Sequence, residues 1–416
     1  MDTNRILLEK RLLLVGSYPP AFGGVSSFIR ELEIGLASRV RQFYVLHFDV
    51  STSIVSTGPQ LIIHKLPNRP NSCLFSALSL GPLRLLHVLV LFLSNSHKDV
   101  RLYSSSLLQA LIIAMIAKKN KSNVVTIFTT RAGAVIPYLS RLIPGTPIYY
   151  CVFADPYKNP VFYKKHNSWY RDAMLRSRRV FSSSKYCAGV TKFFDSSIKP
   201  EVIYVGVDTS RFHPSTPQLK SRQKLNLPMD KQVILSVARM EAEMGVPDIL
   251  KIAEKVLSVL TNAIFVIAGA RGSATPMVED AAQASGGRIF CRINVPFDDL
   301  PLYYSASSIV IAPTIGVHAC MGVSVKEAMA AGKPVVVSDS GGLPEAVQNN
   351  HNGIIVQLNG NGTINCEKFS EVILDLLQDT GKQYVMGSNS RLKAVTMFSA
   401  DSSTSSYAKL IIGSNC

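Results

Sequence analysis

The chain has 416 residues, 47% of them hydrophobic and 17% charged, with a formal net charge of +16. That length is too great for one ordinary core and favours two or three domains, while the composition excludes a disordered or fibrous chain. The seven cysteines are scattered with no C-x-x-C pair, which speaks against a disulfide framework and against structural zinc.

The charge is uneven. Residues 1–200 carry 26 Lys and Arg against 9 Asp and Glu, whereas residues 201–416 carry 18 against 19. The excess is densest around Lys158, Lys164, Lys165, Arg171, Arg176, Arg178, Arg179 and Lys185. Such asymmetry points the first half at an anionic partner, a membrane surface or an acidic glycan. Nucleic acid is set aside because no recognition motif accompanies the charge. The plainer alternative is a solvated basic face that serves only solubility.

From the N-terminus, Leu12–Val15 is too short an apolar run for a secretory signal and reads as a strand. The Gly-Pro loop after it leads to a helix over about Gly24–Ala37, then a strand at Gln42–Phe48. Leu83–Leu93 carries Arg84 and His87, and Leu107–Ala117 ends at Lys118-Lys119. Both fall short of the roughly 20 apolar residues needed to span a bilayer and read as buried or interfacial helices. The expected location is cytoplasmic, peripheral on the membrane face. Strands follow at Val124–Phe128 and Ile148–Phe153, and the style repeats at Val233–Val237, Ala263–Ala268, Ser308–Ala312 and Pro334–Val337. Alternating strand and helix argues for parallel sheets covered on both faces. The expected fold is α/β, two doubly wound Rossmann-like domains facing a central cleft. The expected limits are 1–205, 206–395, and a Ser/Thr-rich tail at 396–416 packing back on the first domain.

Four segments carry chemistry. Gly16–Val25 follows a strand and opens a helix, so Gly23 and Gly24 let backbone approach a ligand; a plain tight turn is the alternative. The segment Ile234–Val246 delivers Arg239 to a strand's carboxyl end, where a cation grips a diphosphate. A surface arginine paired with Glu241 or Glu243 is the plainer alternative. Phe265–Ser273 is a strand with a glycine turn at Gly269. The richest is Gly316–Val336: a loop enters a helix at about Gly322 that ends at Gly332. Its first amides, Gly322, Val323 and Ser324, form a cradle for phosphate oxygens. Glu327, about a turn inside, is placed to accept both hydroxyls of a ribose, against the alternative of a solvent-facing helix glutamate. His318 reads as an isolated loop histidine. No clustered carboxylate or histidine ligands offer a metal site.

At these residues the chain resembles the glycosyltransferase family 4 (group 1) enzymes, of GT-B fold. VGVDTSRFHP is similar to the family's domain linker, and VPFDDLPLYYSASSIVIAPT to the segment before its donor motif. KEAMAAGKPVVVSDSGGLPEAV with HNGIIV is similar to the segment after it, and GSYPPAFGGVSSF to the N-terminal loop. The resemblance implies a retaining, metal-independent transferase without cofactor. It would use a nucleoside-diphosphate sugar as co-substrate and a glycan or lipid-linked acceptor, in polysaccharide or glycolipid biosynthesis. It places Arg239 on the donor diphosphate and Glu327 on the ribose as catalytic residues, and Gly322 to Val325 near the phosphates. Gly23, Gly24 and Gly269 would line the donor site. The chain departs from the family at three places. Ala319 stands where the family has the first glutamate of Glu-x7-Glu, Met244 where it has a lysine, and Phe153 where it has a histidine. Lys333, Lys326, His318 and Asp155 are the candidate replacements. The rival expectation is a non-catalytic subunit of the same fold that binds glycan or nucleotide, or partners an active transferase.

Overall fold

The computed structural model describes residues 7–17, 23–47, 61–65, 98–320 and 322–413. They divide into two compact units. The first comprises the chain up to Ser183, Cys187–Ile203 and the stretch from Thr404 onward; the second comprises Ser184–Tyr186 and Tyr204–Ser403.

The first unit is built on a seven-stranded sheet: β1 (Arg11–Gly16), β2 (Gln42–His47), β3 (Leu61–Lys65), β4 (Val124–Phe128), β5 (Ile148–Val152), β6 (Arg179–Ser182) and β7 (Glu201–Val202). Every pairing is parallel, in the order β3-β2-β1-β4-β5-β6-β7. The central strands VVTIF and IYYCV are buried along their whole length, as strands covered by helices on both faces must be. Helix α1 spans Gly24–Leu36 and α2 spans Lys98–Lys119. On α2, Ala110, Ile113, Ala114 and Ala117 are buried at helical spacing, so the expected buried helix at Leu107–Ala117 is part of a longer one. The expected helix at Leu83–Leu93 lies outside the described residues.

The second unit carries a six-stranded parallel sheet, β8 (Gln232–Val237), β9 (Ala263–Gly269), β10 (Ile289–Ile293), β11 (Ile309–Ala312), β12 (Val335–Ser338) and β13 (Gly353–Val356). Its order is β10-β9-β8-β11-β12-β13. Side chains alternate across it. Val233 and Leu235 join one core cluster with Ile264, Val266 and Ala268, and Ile234 joins another with Ala263, Phe265 and Ile267. Helices α3 (Val246–Val259), α4 (Leu300–Ala306), α5 (Val323–Ala330), α6 (Cys366–Gln378) and α7 (Thr380–Met397) belong to this unit. Helix α3 is amphipathic, burying Ile249, Ile252, Ala253 and Val256. Asn365 caps α6 by accepting from Lys368 N, and Asp379 caps α7 by accepting from Lys382 N.

The Ser/Thr-rich end of the chain is helix α8 (Ala400–Ile412). From Thr404 it belongs to the first unit. Tyr407 is fully buried, with its hydroxyl 2.6 Å from Thr126 Oγ1 on β4 and its ring 6.0 Å from that of Phe181 on β6. The Tyr149 hydroxyl of β5 donates to Ile411 O at 3.2 Å. Gly35 of α1 faces Thr404 so closely that a Cβ there would lie 2.4 Å from its Oγ1. Tyr407→Ala is therefore expected to lower the unfolding free energy by about 3–5 kcal/mol, the range for truncating a buried aromatic. Chemical denaturation reads this directly, and an unchanged midpoint would remove α8 from the first unit's core.

Candidate functional site

In an open parallel sheet, ligands bind beyond the carboxyl ends of the strands, where the strand order reverses. In the second unit that point lies between β8 and β11. The loops leaving these two strands hold the residues singled out above.

Arg239 follows β8 and is exposed. It is not paired with Glu241 or Glu243; among the described residues Arg239 makes no ion pair. The Glu241 carboxylate instead accepts from Ser273 N at 3.0 Å and from the Ser273 hydroxyl, which hold its pKa below the usual carboxylate value. The ladder between the two strands continues past their ends, with Ala238 N donating to Ala268 O at 3.0 Å and Met240 N to Ala270 O at 2.9 Å. The loop after β9 carries Arg271, an exposed cation that the sequence does not single out. Among the described residues the Arg271 guanidinium pairs with Glu279 at 3.2 Å, an exposed pair that is weakly held.

Gly269 ends β9 at φ 153°, and a Cβ there would lie 1.7 Å from Ala238 O. Close approach of the neighbouring loop thus already demands this glycine, apart from any ligand. Gly245, at φ 82°, is required in the same way, because a Cβ there would lie 1.8 Å from Pro313 O. It presses the loop bearing Met244 against the loop after β11.

That second loop passes through Gly316–His318 and the buried Ala319 to Gly322, the left-handed N-cap of α5 at φ 58° and ψ 47°. No side chain caps α5. The helix itself leaves its first amides unused, and among the described residues those of Val323 and Ser324 have no partner at the positive end of the helix dipole. Glu327 is not solvent-facing. It is 6% exposed, and its Oε2 accepts a 2.7 Å hydrogen bond from the hydroxyl of Tyr304, itself fully buried on α4. Burial raises the Glu327 pKa to about 7, against the smaller lowering effects of the Tyr304 hydrogen bond and the Arg211 charge.

The raised value ties stability to pH. The ordinary glutamate value is 4.5 and the folded value is about 7. The native state thus holds a proton that the unfolded state has released, and stability falls as pH rises between those values. The total is on the order of 3 kcal/mol. Denaturation midpoints between pH 5 and pH 8 should show this slope, and Glu327→Gln should flatten it. An identical slope in the variant would assign it to other groups.

Of the expected replacements, the two lysines are turned elsewhere. Lys326 is 2% exposed; its Nζ donates to Val205 O at 3.3 Å and lies 4.8 Å from the Phe398 ring and 5.4 Å from the Tyr204 ring. Lys333 precedes β12 and so stands at the opposite edge of the sheet. His318 lies half-buried in the loop after β11. Glu345 is occupied structurally, accepting from Lys185 N at 2.8 Å, Tyr186 N at 2.7 Å and the Tyr204 hydroxyl at 3.0 Å.

In the first unit the order reverses between β1 and β4. Gly16 ends β1, where a Cβ would lie 2.8 Å from Ile29 Cδ1 and 2.9 Å from Phe128 Cβ. The stretch Tyr18–Phe22 of the glycine loop lies outside the described residues. Gly23 caps α1 at φ 151° with nothing within 4 Å of a Cβ, and Gly24 opens that helix. Thr129, just past β4, has φ 88°, a strained value for a β-branched residue of the kind found at functional positions. Thr130 Oγ1 accepts from Phe153 N and donates to Phe153 O, both at 2.8 Å, fixing the end of β5. Phe153 is 5% exposed. Nearby Asp155 has its carboxyl pKa raised by burial, and its Oδ2 has no hydrogen-bond partner.

Among the described residues there is no group of three or more His, Cys, Asp or Glu that could hold a metal ion. No helix of the described residues is long and apolar enough to cross a membrane.

Residues 217–393 match the family model of glycosyl transferases group 1. A D-inositol 3-phosphate glycosyltransferase of Streptomyces bingchenggensis is 29% identical over 172 residues, covering 37% of this chain and 36% of that one. The chain spans only about a third to just over half the length of the curated relatives it matches. Solved structures match nearly end to end. Sucrose-phosphate synthase from Thermosynechococcus elongatus superposes with a TM-score of 0.75 at 16% identity, over 97% of this chain and 98% of that one. Anabaena HepE, solved with UDP and glucose, superposes with a TM-score of 0.71 at 17% identity, over 96% and 99%. These likenesses establish the fold, two Rossmann-like domains of the GT-B kind.

Proposed function

We propose, starting from a second unit that is a glycosyl transferases group 1 domain over residues 217–393, that the protein moves a sugar from a nucleoside-diphosphate sugar to a glycan or lipid-linked acceptor. The observation that carries this reading is the arrangement at the β8–β11 reversal. An unpaired exposed arginine, an uncapped helix start and a buried carboxylate lie on the loops and helix that follow these two strands. Arg239 grips the diphosphate and stabilises it as it leaves, the amides of Gly322, Val323 and Ser324 bind phosphate oxygens, and Glu327 accepts the ribose hydroxyls. Arg271 supplies the second cation that Met244 does not. HepE, which shares this fold, was solved with UDP, in keeping with a nucleotide as ligand.

Membership of family 4, retention of configuration, and a reaction without metal or cofactor belong to the same reading. So does peripheral association of the basic first unit with the anionic face of a cytoplasmic membrane, where polysaccharide or glycolipid acceptors are presented. Nine cations of that unit between Lys158 and Lys199 are exposed, and Val161 among them is 77% exposed.

A second reading has its own observation. Ala319 and Met244 put apolar groups where sugar and phosphate would need charge, so a non-catalytic nucleotide- or glycan-binding subunit is the alternative. Nucleotide binding comes first in either case. Titration with UDP, GDP and ADP should find one that binds, and Arg239→Ala should weaken it about 10–100-fold, the worth of one charge-assisted hydrogen bond. Affinity should also rise with pH up to about 7 as Glu327 ionises. Equal affinity in the variant would remove Arg239 from the site.

A further inference from the structure

The amino ends of β8, β11 and β12 border a cavity of about 370 Å3, open to solvent. It lies at the sheet edge opposite Arg239, Gly269 and Gly322. At about 3.3 Å per residue, strands of this length put the two edges roughly 15–20 Å apart. The lining is polar and includes Arg222, Lys231, Lys333, Asp230, Ser308 and Thr380.

Arg222 is 6% exposed; its Nε donates to Ala306 O at 3.0 Å and its Nη1 to Met229 O at 2.9 Å. Lys333 Nζ donates to Ser305 O at 3.0 Å and Ser307 O at 2.8 Å. Gln218 Nε2 also donates to Ser307 O, at 3.0 Å. These groups cap the carboxyl end of α4. One cation or one amide suffices for a single short helix end, and here two cations and an amide converge on three consecutive carbonyls. The third ammonium proton of Lys333 and Nη2 of Arg222 have no partner among the described residues. Asp230 is the one carboxylate lining the cavity; it is 77% exposed at its side chain and lies 3.7 Å from Lys231. Three cations thus meet one acid around a cavity, and two of the cations are largely removed from water.

We propose that this cavity is a second anion site, which holds a phosphate dianion either as the free ion or as the monoester of a small molecule. The unspent donors of Lys333 and Arg222, the Lys231 ammonium and the hydroxyls of Ser308 and Thr380 supply its hydrogen bonds. Bound dianion relieves the repulsion between the two withdrawn cations. Lys333 is held down to about 8, by burial first and then by Arg222. The groups facing it are Arg222, Lys231, Asp230 and Tyr384. Binding near pH 8 therefore takes up a proton, and affinity drops as pH rises from 7.5 to 9.

The test is calorimetric titration of the full chain with inorganic phosphate and with glycerol 3-phosphate. Lys231→Glu, on a side chain that is 33% exposed, should weaken binding by about tenfold or more. Lys333→Met should abolish it, and Arg239→Ala at the opposite edge should leave it unchanged. Tighter binding of the monoester would assign a phosphorylated small molecule, and tighter binding of the ion would assign free phosphate. No binding at millimolar phosphate, or binding that responds to Arg239→Ala and not to Lys231→Glu, would overturn the proposal. Because Lys333 also caps α4, the Lys231→Glu result and the pH dependence of the unmodified protein stand even if Lys333→Met fails to fold.

Discussion

Glu327→Gln is expected to make the protein more stable at pH 8 and about 100-fold poorer in kcat/KM. The two effects have one cause. Glu327 is 6% exposed and its pKa is raised to about 7, so at pH 8 the fold holds a carboxylate that burial disfavours. Glutamine keeps an acceptor for the Tyr304 hydroxyl and removes the buried charge. The gain should be roughly 1–3 kcal/mol at pH 8, shrinking towards pH 5, where the native carboxyl is already protonated. The loss arises because hydrogen bonds to a charged acceptor are worth about 1.5–3 kcal/mol each, and a ribose offers two hydroxyls. A residue kept at a cost to folding is what a binding site produces. Denaturation and steady-state kinetics on one preparation decide the matter. A variant as active as the native protein would remove Glu327 from the ribose. A variant less stable at pH 8 would make Glu327 an ordinary structural acceptor.

A large loss of stability is also expected at Gly269. A methyl group there would sit 1.7 Å from Ala238 O, against backbone that the β8–β9 ladder fixes on both sides. Neither strand can yield without breaking that ladder, and φ 153° is unsuited to a side chain. Gly269→Ala should cost at least about 3 kcal/mol, combining strain and overpacking. Gly23→Ala is the control. It shares an unusual φ of 151° but meets nothing within 4 Å, so only the backbone cost remains, about 1 kcal/mol. Soluble yield and denaturation midpoints should separate the two variants widely. Equal tolerance would mean that the loop after β8 is free to move away from β9.

The sequence displays the central strands because continuous apolar runs such as VVTIF and AIFVIAG leave no other reading. It hides the outer ones. β10 is half-buried along its length, β6 begins on an exposed arginine, and β3 and β13 are short runs of four or five residues. Helix α8 is masked by five Ser and Thr in succession from Ser402 to Ser406, with its anchor Tyr407 recognisable only from contact with β4 and β6. At the site, spacing locates Arg239 and the start of α5. It cannot foresee that Tyr304, 23 residues away, holds Glu327, nor that Lys326 is withdrawn between rings at positions 204 and 398. Long-range partners of that kind exist only once the strands are ordered. The same holds for Gly269, where the sequence shows a glycine turn and the structure shows a backbone contact.

The departures from the family pattern concern the sugar more than the nucleotide. Ala319 is 5% exposed with its carbonyl accepting from Gly342 N at 2.6 Å, and Phe153 is clamped by Thr130, so neither position offers a polar group. In the proposed reading Arg239, the α5 amides and Glu327 all address the nucleotide end. Whether the protein transfers sugar is decided by turnover. Purified protein is incubated with UDP-, GDP- and ADP-sugars and a lipid-linked or glycan acceptor, and release of free nucleoside diphosphate is followed for the native chain and Arg239→Ala. Transfer requires release with one donor class and a fall of about 100-fold or more in the variant, the scale for losing one contact to the leaving group. Tight nucleotide binding without release from any donor would contradict it and leave the non-catalytic binding protein in its place.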